Sequence, residues 1–399
     1  MVKIKQPHIC IVGAALNGLF AALILSKLNV RITLIDQNDL DSFENPRFDG
    51  RTTAISYGSS QFIKTQLPGL WSELSIEAAP INDIYITHNL QPGCLHYGPQ
   101  ESNHNAMGYI VHNQTLRKKL YQALSQCPSI EFTPACSISD MTFDPSGYVL
   151  KLSNQQQLKC YLVIGADGAK SSLRQHLGIR VKNLSYDQTA LTFLVRHSEP
   201  HEGRAFEHFT PDGPLAFLPL LDPYQSSVVW SLNNDIAHQH QKLVAQELAA
   251  VVNKVFQETL GDLDIISTVH DYPLFSTLPV SYIAPRAVLI GDAAHVIHPV
   301  AGQGFNLGLR DIQQLYQTIQ EALSTGLDIG SSTLLSQYQK SRRIDVLSMT
   351  GFTHGMVRLF SNDNAILNII RGQGLRLVGN IGPLKKLLAR RAMGLNLFS

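Results

Sequence analysis

The chain has 399 residues, more than one ordinary compact domain and enough to enclose a cofactor in a large core. Its 32 basic and 31 acidic residues leave a formal charge of +1, so no general electrostatic argument favours a nucleic-acid partner, and 44% hydrophobic content excludes a disordered chain. The five cysteines are odd in number and contain no C-x-x-C pair, which speaks against a zinc knuckle or disulfide framework and for a reducing, cytoplasmic setting.

The N-terminus, MVKIKQPHICIVG, runs directly into a structural pattern, and no apolar run reaches the ~18 residues of a membrane span, so neither a signal peptide nor a transmembrane helix is expected. Residues 8–36 predict one βαβ unit: a strand over His8–Val12, a glycine turn, an apolar helix from Leu16 to Leu28, and a strand over Val30–Ile35 that delivers Asp36. In a dinucleotide fold such a turn lets a pyrophosphate reach the helix N-terminus, and the acid holds the ribose hydroxyls. Gly13, Gly18 and Asp36 occupy those positions, while Ala15 replaces the middle glycine and sets a methyl group on the phosphate's route.

The segments Arg47–Arg51 and Ile81–Met107 are expected to loop out toward a second layer. Residues 159–174, KCYLVIGADGAKSSLR, predict a buried strand followed by Gly165, Asp167, Gly168, Ser171 and Arg174. The same design recurs where the strand AVLI at 287–290 runs into Gly291 and Asp292, which places several cofactor contacts on one sheet edge. Between these motifs, TALTFLVRH, RAFEHFT, LAFLPLL and SSVVWSL read as strands of a mostly antiparallel sheet, the second and third joined by the turn PDG. Phe193, Phe206, Phe217 and Trp230 on those strands are candidates for an apolar pocket or for plain core.

Residues 291–311, GDAAHVIHPVAGQGFNLGLRD, bring small residues and four glycines into one loop, as is needed where backbone must approach another surface closely. His295 and His298 beside it read as hydrogen-bonded structural residues rather than as an acid or base. Residues 331–399 look helical; near the end, Leu384, Leu387, Leu388 and Leu395 share one helical face, with Lys385, Lys386, Arg390 and Arg391 supplying a basic side. Residues 383–398 could therefore rest on anionic lipid, with a helix packed on its own domain as the alternative.

Taken together, GAALNG (13–18), DGRTTAIS (49–56), GYIVHNQTLRKKL (108–120), GADGAKSSLR (165–174), GDAAHVIHPVAGQGFNLGLRD (291–311) and YQKSRR (338–343) resemble the class A FAD-dependent aromatic hydroxylases, and within them the ubiquinone-biosynthesis hydroxylases. The resemblance spans most of the chain. It implies an α/β fold: a Rossmann-like FAD-binding domain of the para-hydroxybenzoate hydroxylase type, an inserted, mostly antiparallel β-sheet substrate domain and a C-terminal helical segment. The corresponding ranges are 1–80, 106–180 and 276–330 for the FAD domain, 81–105 and 181–275 for the substrate domain, and 331–399 for the helical region.

The resemblance further implies that Gly13, Ala15, Asn17 and Gly18 form the nucleotide turn, that Asp36 binds the adenosine ribose, and that Arg51 and Asn113 lie along the flavin nucleotide. Asp292 would hold the ribityl or pyrophosphate portion, the Asp167 motif would brace the fold and serve NAD(P)H, and Pro299, Gly302, Gly304, Asn306 and Leu307 would line the isoalloxazine. The helix beginning near Gln303 would aim its positive end at the flavin pyrimidine. No catalytic residue is assigned; His298, Pro299 and Gly302 are the flavin-facing candidates.

The implied reaction is hydroxylation of a polyprenylated phenol in ubiquinone biosynthesis, with NAD(P)H as reductant and O2 activated at the flavin C4a position. The cofactor then carries the difficult chemistry, and no side-chain triad, metal site or paired carboxylates are called for. Partners are a prenylated phenol or quinone precursor, O2 and other enzymes of the pathway, at the inner membrane face. A flavin halogenase is excluded, because its W-x-W-x-I-P signature cannot be built from Trp71 and Trp230. Two other readings are a hydroxylase of a small soluble aromatic acid, which would need an arginine facing the carboxylate, and a non-catalytic flavoprotein scaffold.

Overall fold

The computed structural model describes residues 6–88, 94–98, 104, 106–257, 259–360, 390 and 393–395. Its central sheet runs in the order Ile283–Ala284, Ala287–Leu289, Leu162–Gly165, His8–Val12, Arg31–Ile35 and Ile130–Thr133, parallel throughout except for the antiparallel pair at 283–289. These strands are nearly continuous apolar runs because both faces are covered. Ile9, Ile11, Leu34 and Ile164 pack against the helices Leu16–Leu25, Asn113–Ser125 and Gln303–Thr325. The alternating residues Cys10, Val12, Ile35 and Val163 pack instead against a small antiparallel sheet of Ile138–Asp144, Gly147–Leu152 and Gln157–Cys160. The first helix stops at Leu25, one turn earlier than its apolar run suggests.

The larger sheet is ordered Leu263–Ile265, Val181–His197, Gln225–Asn233, Gly213–Pro219, Arg204–Thr210, Asp83–His88 and Cys94–Tyr97, with His270–Pro279 also pairing to the long strand. Its pairings are antiparallel except for Arg204–Thr210 beside Asp83–His88. The stretch expected to loop out at 81–107 thus supplies two strands to this sheet. The PDG turn closes a hairpin in which Thr210 pairs with Gly213.

Register decides what the aromatic residues do. Phe206, Phe217, Val228 and Phe193 form one cross-strand row, and with Trp230 they face the helix Ala245–Phe256. Phe217 stacks on Phe256 at 3.9 Å between ring centroids. These four aromatic residues are core, each contributing about 2 kcal/mol by burial, packed under that helix rather than lining a pocket.

A third sheet of Thr52–Ser56, Gly108–His112 and Ala79–Ile81 lies between the layers. The helix Gln303–Thr325 ends at Gly326, whose left-handed φ of 72° suits a glycine cap. It is followed by the helix Ser332–Phe360. The tail segment 383–398 lies outside the described residues apart from Arg390 and 393–395. There, Gly58 N–H donates to the Met393 carbonyl at 2.8 Å, and Leu395 joins the apolar cluster of Phe209 and Val300. No helix of the described residues is long and apolar enough to cross a membrane.

Candidate functional site at the carboxyl edge of the central sheet

Gly13, Asp36, Asp167 and Gly291–Asp292 follow the carboxyl ends of four adjacent strands of the central sheet. The edge is stitched by backbone hydrogen bonds: Gly13 N–H to Ile35 O at 2.8 Å, Ala166 N–H to Val12 O at 2.7 Å and Ile290 N–H to Gly165 O at 2.9 Å. In open α/β sheets this edge is where ligands bind.

Gly13 has φ +101°, and a Cβ there would stand 2.5 Å from Ala166 O; a Cβ on Gly18 would stand 1.8 Å from Gly13 O. Both glycines are therefore demanded by the fit of turn, helix and strand. Ala15 differs: it is the helix N-cap, exposed, with φ −70°, a conformation open to any residue. The Asp36 carboxylate accepts from Ala14 N–H at 2.6 Å and from the backbone and side-chain N–H groups of Asn38 at 2.8 Å. Of about four lone-pair positions on a carboxylate, three are used, which leaves room for a hydroxyl donor.

Asn17 explains two glycines whose purpose the sequence does not disclose. A Cβ on Gly291 would lie 2.4 Å from Asn17 Nδ2, and one on Gly308 would lie 2.3 Å from the same atom. The Asn17 side chain is wedged between the Gly291 turn and the long helix, and its buried Oδ1 has no hydrogen-bond partner among the described residues. Arg174 makes a similar tie: its guanidinium donates to Ala293 O at 2.9 Å and to Ala169 O at 2.7 Å. Asp167 caps the short helix Ser172–His176, accepting from Ser171 Oγ at 2.5 Å and Leu173 N–H at 3.0 Å.

Asp292 is exposed and accepts no hydrogen bond from the described residues. Burial raises its pKa, opposed by His295 and Arg51. Arg51 pairs with Asp49, its guanidinium 5.1 Å from the Tyr272 ring centroid. Asn113 is buried beside it: its N–H donates to Arg51 O at 3.1 Å and its Oδ1 accepts from Thr53 Oγ1 at 2.6 Å.

Farther along, Pro299–Gly304 forms a tight turn into the long helix. Gly302 is the N-cap at φ +58°, with neither a side-chain cap nor an acid in the first helical turn, and a Cβ on Gly304 would meet nothing within 4 Å. The turn thus presents bare backbone and an uncompensated helix N-terminus to open space. Asn306 spends its side chain on backbone, accepting from Ser56 N–H at 2.9 Å and donating to Ala54 O at 2.9 Å and Gly302 O at 3.0 Å. Leu307 is fully buried in the central core, so any contact with a ligand in this turn would come from its backbone.

His298 is fully buried; its Nδ1 accepts from Val300 N–H at 3.3 Å, so Nε2–H donates to Gln188 Oε1 at 3.2 Å. Burial pushes its pKa down to about 4, and it is neutral near pH 7. His295, also buried, donates from Nε2 to Asp311 Oδ2 at 2.7 Å. Both histidines brace the loop through hydrogen bonds.

The FAD binding domain family matches residues 6–352. The chain belongs to that family. It is 37% identical over 390 residues to the ubiquinone hydroxylase UbiL of Rhodospirillum rubrum, covering 98% of this chain and 90% of that one. It is 32% identical to the 3-demethoxyubiquinol 3-hydroxylase of Escherichia coli, covering 98% of this chain and all of the other. The p-nitrophenol 4-monooxygenase PnpA of Pseudomonas putida shares the fold, with a TM-score of 0.79 at 16% identity and 98% coverage of both chains. The protein is an FAD-dependent monooxygenase with the α/β fold of this group.

The residues present fit FAD. The flavoprotein offers a glycine turn at a helix N-terminus, an acid with a free acceptor position, an orphaned buried Oδ1 on Asn17, an unpartnered carboxylate at Asp292 and a bare turn at Gly302–Gly304. Because Ala15 holds an ordinary backbone conformation with its methyl group in solvent, Ala15→Gly should leave the FAD dissociation constant within about threefold of wild type, measured by flavin fluorescence titration. A tenfold tightening would show that the methyl obstructs the phosphate.

Proposed function

We propose that this flavoprotein hydroxylates the ring of a neutral, polyprenylated phenol in ubiquinone biosynthesis, using O2 and electrons from NAD(P)H. The whole-length likeness to two proteins named as ubiquinone ring hydroxylases supports the reaction class. The observation that carries the substrate class is the sheet face turned toward the cofactor edge. Thr52 Oγ1 to Ser227 Oγ at 3.0 Å, His298 to Gln188 at 3.2 Å and the approach of Gly50 to Thr192 identify that face.

Along it run Ala190, Thr192 and Leu194, then Ser227 and Val229, then Ala216 and Leu218, then Ala205, Glu207 and Phe209. These positions contain no arginine, and the one charged residue among them is acidic; Arg196, the next position on this face, is exposed at the end of its strand, in register with Gln225 and Asp264. A benzoate-like substrate would meet repulsion there and no ion-pair partner. A neutral phenol with an apolar tail meets small residues and a hydrogen-bond acceptor.

Bound, reduced FAD would supply the electrophilic oxygen; the chain's own residues bind, orient and desolvate. Small side chains dominate the sheet face that overlooks the Pro299–Gly304 turn, and the uncompensated helix N-terminus at Gly302 favours negative charge there. Purified, FAD-loaded protein should oxidise NADH or NADPH faster when a prenylated phenol is added and should yield product heavier by one oxygen atom. Stimulation by hydroxybenzoate alone would favour the small-acid reading. A protein that binds no FAD would sink both.

A further inference from the structure

Glu207 is the charged group of the cofactor-facing sheet surface that no contact described above explains. It lies on Arg204–Thr210, between Ile86 on one neighbouring strand and Ala216 on the other. Its same-face neighbours fix its position: Phe209 shares an apolar cluster with Val300, and Ala205 shares one with Ala54. Val300 and Ala54 bracket Gly302, since a Cβ there would lie 3.0 Å from Ala54 Cβ. Glu207 therefore overlooks the turn that precedes the long helix. Its side chain makes no hydrogen bond or ion pair with the described residues and is half-buried.

We propose that Glu207 accepts the proton of the substrate's phenolic hydroxyl during ring hydroxylation. This rests on the hydroxylase reading above. Burial alone pushes its carboxyl up to about 7, whereas a free phenol titrates near ~10. Transfer is therefore uphill in the resting complex and becomes favourable only as ring electrons move toward the incoming oxygen, which is when a general base contributes most.

The phenolic O–H bond breaks, its proton bonds to a Glu207 oxygen, and the ring's electron pair forms the new C–O bond while the O–O bond of the O2-derived oxidant breaks, its electron pair leaving on the oxygen that is not transferred. The ring carbon then loses its hydrogen as a proton, which the oxygen left behind by the O–O cleavage takes up, and Glu207 returns its own proton to the original ring oxygen. The net change is C–H to C–OH, and the carboxylate is regenerated.

Among the other titratable groups on the surrounding elements, Tyr97 shares the sheet face of Glu207 and is buried in the cluster of Phe209 and Val300. His298 is held near 4, Tyr186 is raised by burial, and Tyr57 is stacked against His104. His354 lies 6.1 Å from Tyr186, and Arg51 and Asp292 sit at the cofactor end. His208, Asp83 and His96 occupy the opposite face of their strands.

The test uses FAD-loaded wild type, Glu207→Gln and Glu207→Asp, with flavin content confirming folding. With a short-chain 2-prenylphenol, Glu207→Gln should lower kcat about 100-fold while KM stays within about threefold, and the rise of kcat/KM through pH 7 should vanish. Glu207→Asp should keep that rise, with kcat down about tenfold. A packing role predicts the reverse order, because Gln preserves the shape better than Asp.

Independently of turnover, 4-nitrophenol bound to wild type should ionise about one pH unit higher than when bound to Glu207→Gln, since phenolate beside carboxylate is disfavoured. Equal ionisation in the two proteins, or an unchanged pH profile, overturns the assignment. A wild type that hydroxylates no phenol fails the broader reading, and the nitrophenol comparison still judges Glu207.

Discussion

Gly18→Ala should abolish stable FAD binding. The added Cβ would stand 1.8 Å from the Gly13 carbonyl oxygen and 2.9 Å from its carbon, both backbone atoms. Gly13 has nowhere to retreat, because its own α-carbon is pressed against Ala166 and Asp167, within 2.6 Å of where a side chain would begin. Relief therefore requires the helix Leu16–Leu25 to move away from the strand, which separates its N-terminal N–H groups from the carboxyl edge and dislodges Asn17 from between Gly291 and Gly308. Overpacking of this kind costs about 3 kcal/mol, the upper end of its usual range, because no flexible side chain can yield. The check is flavin content after purification together with thermal unfolding. A Gly18→Ala protein with wild-type FAD affinity would show that the turn is looser than its contacts imply. The contrast with the near-silent Ala15→Gly is informative, since the two positions are three residues apart in one turn.

That contrast also shows what the sequence can disclose. Gly13, Gly18 and Asp36 are legible because a βαβ turn constrains residue type at fixed spacing, and two further strand ends repeat the theme. The hairpin around PDG is legible for the same local reason. The direction faced by the large sheet is not. Both of its faces are covered, one by the helix Ala245–Phe256 and the other by the three-stranded sheet of Thr52–Ser56, Gly108–His112 and Ala79–Ile81, so RAFEHFT shows alternation without an inside or outside. Phe206 and Glu207 are adjacent in sequence and serve opposite faces, which only register can reveal. The one available signal for Glu207 was an acid set among apolar strand positions. The roles of Gly291 and Gly308 were hidden for a different reason: each answers to Asn17, more than 270 residues away in the chain.

Asp311→Asn should strongly destabilise the fold although it changes a single side-chain atom. Asp311 is fully buried and joins three elements: Oδ2 accepts from Gly291 N–H at 2.9 Å and His295 Nε2 at 2.7 Å, and Oδ1 accepts from Arg342 Nε at 2.6 Å. Burial alone would raise its pKa, but His295 and Arg342 outweigh it and hold the carboxyl below its ordinary value. An asparagine must turn one N–H toward a donor it replaces as acceptor, and it leaves the buried Arg342 with Asp345, at 2.8 Å, as its remaining acidic partner. Breaking one side of a buried, hydrogen-bonded pair costs about 3–5 kcal/mol. The lost ties release the Gly291–Asp292 turn, so flavin retention should fall with thermal stability. The sign of the pH dependence follows from the depressed pKa. In wild type this contribution is complete above the unfolded carboxyl's pKa and is lost as pH falls through the lower folded value, whereas Asp311→Asn lacks it at every pH. Unfolding of both proteins between pH 3 and 7 tests this: the gap between them should narrow toward acid, and a constant gap would mean that Asp311 acts through shape rather than charge.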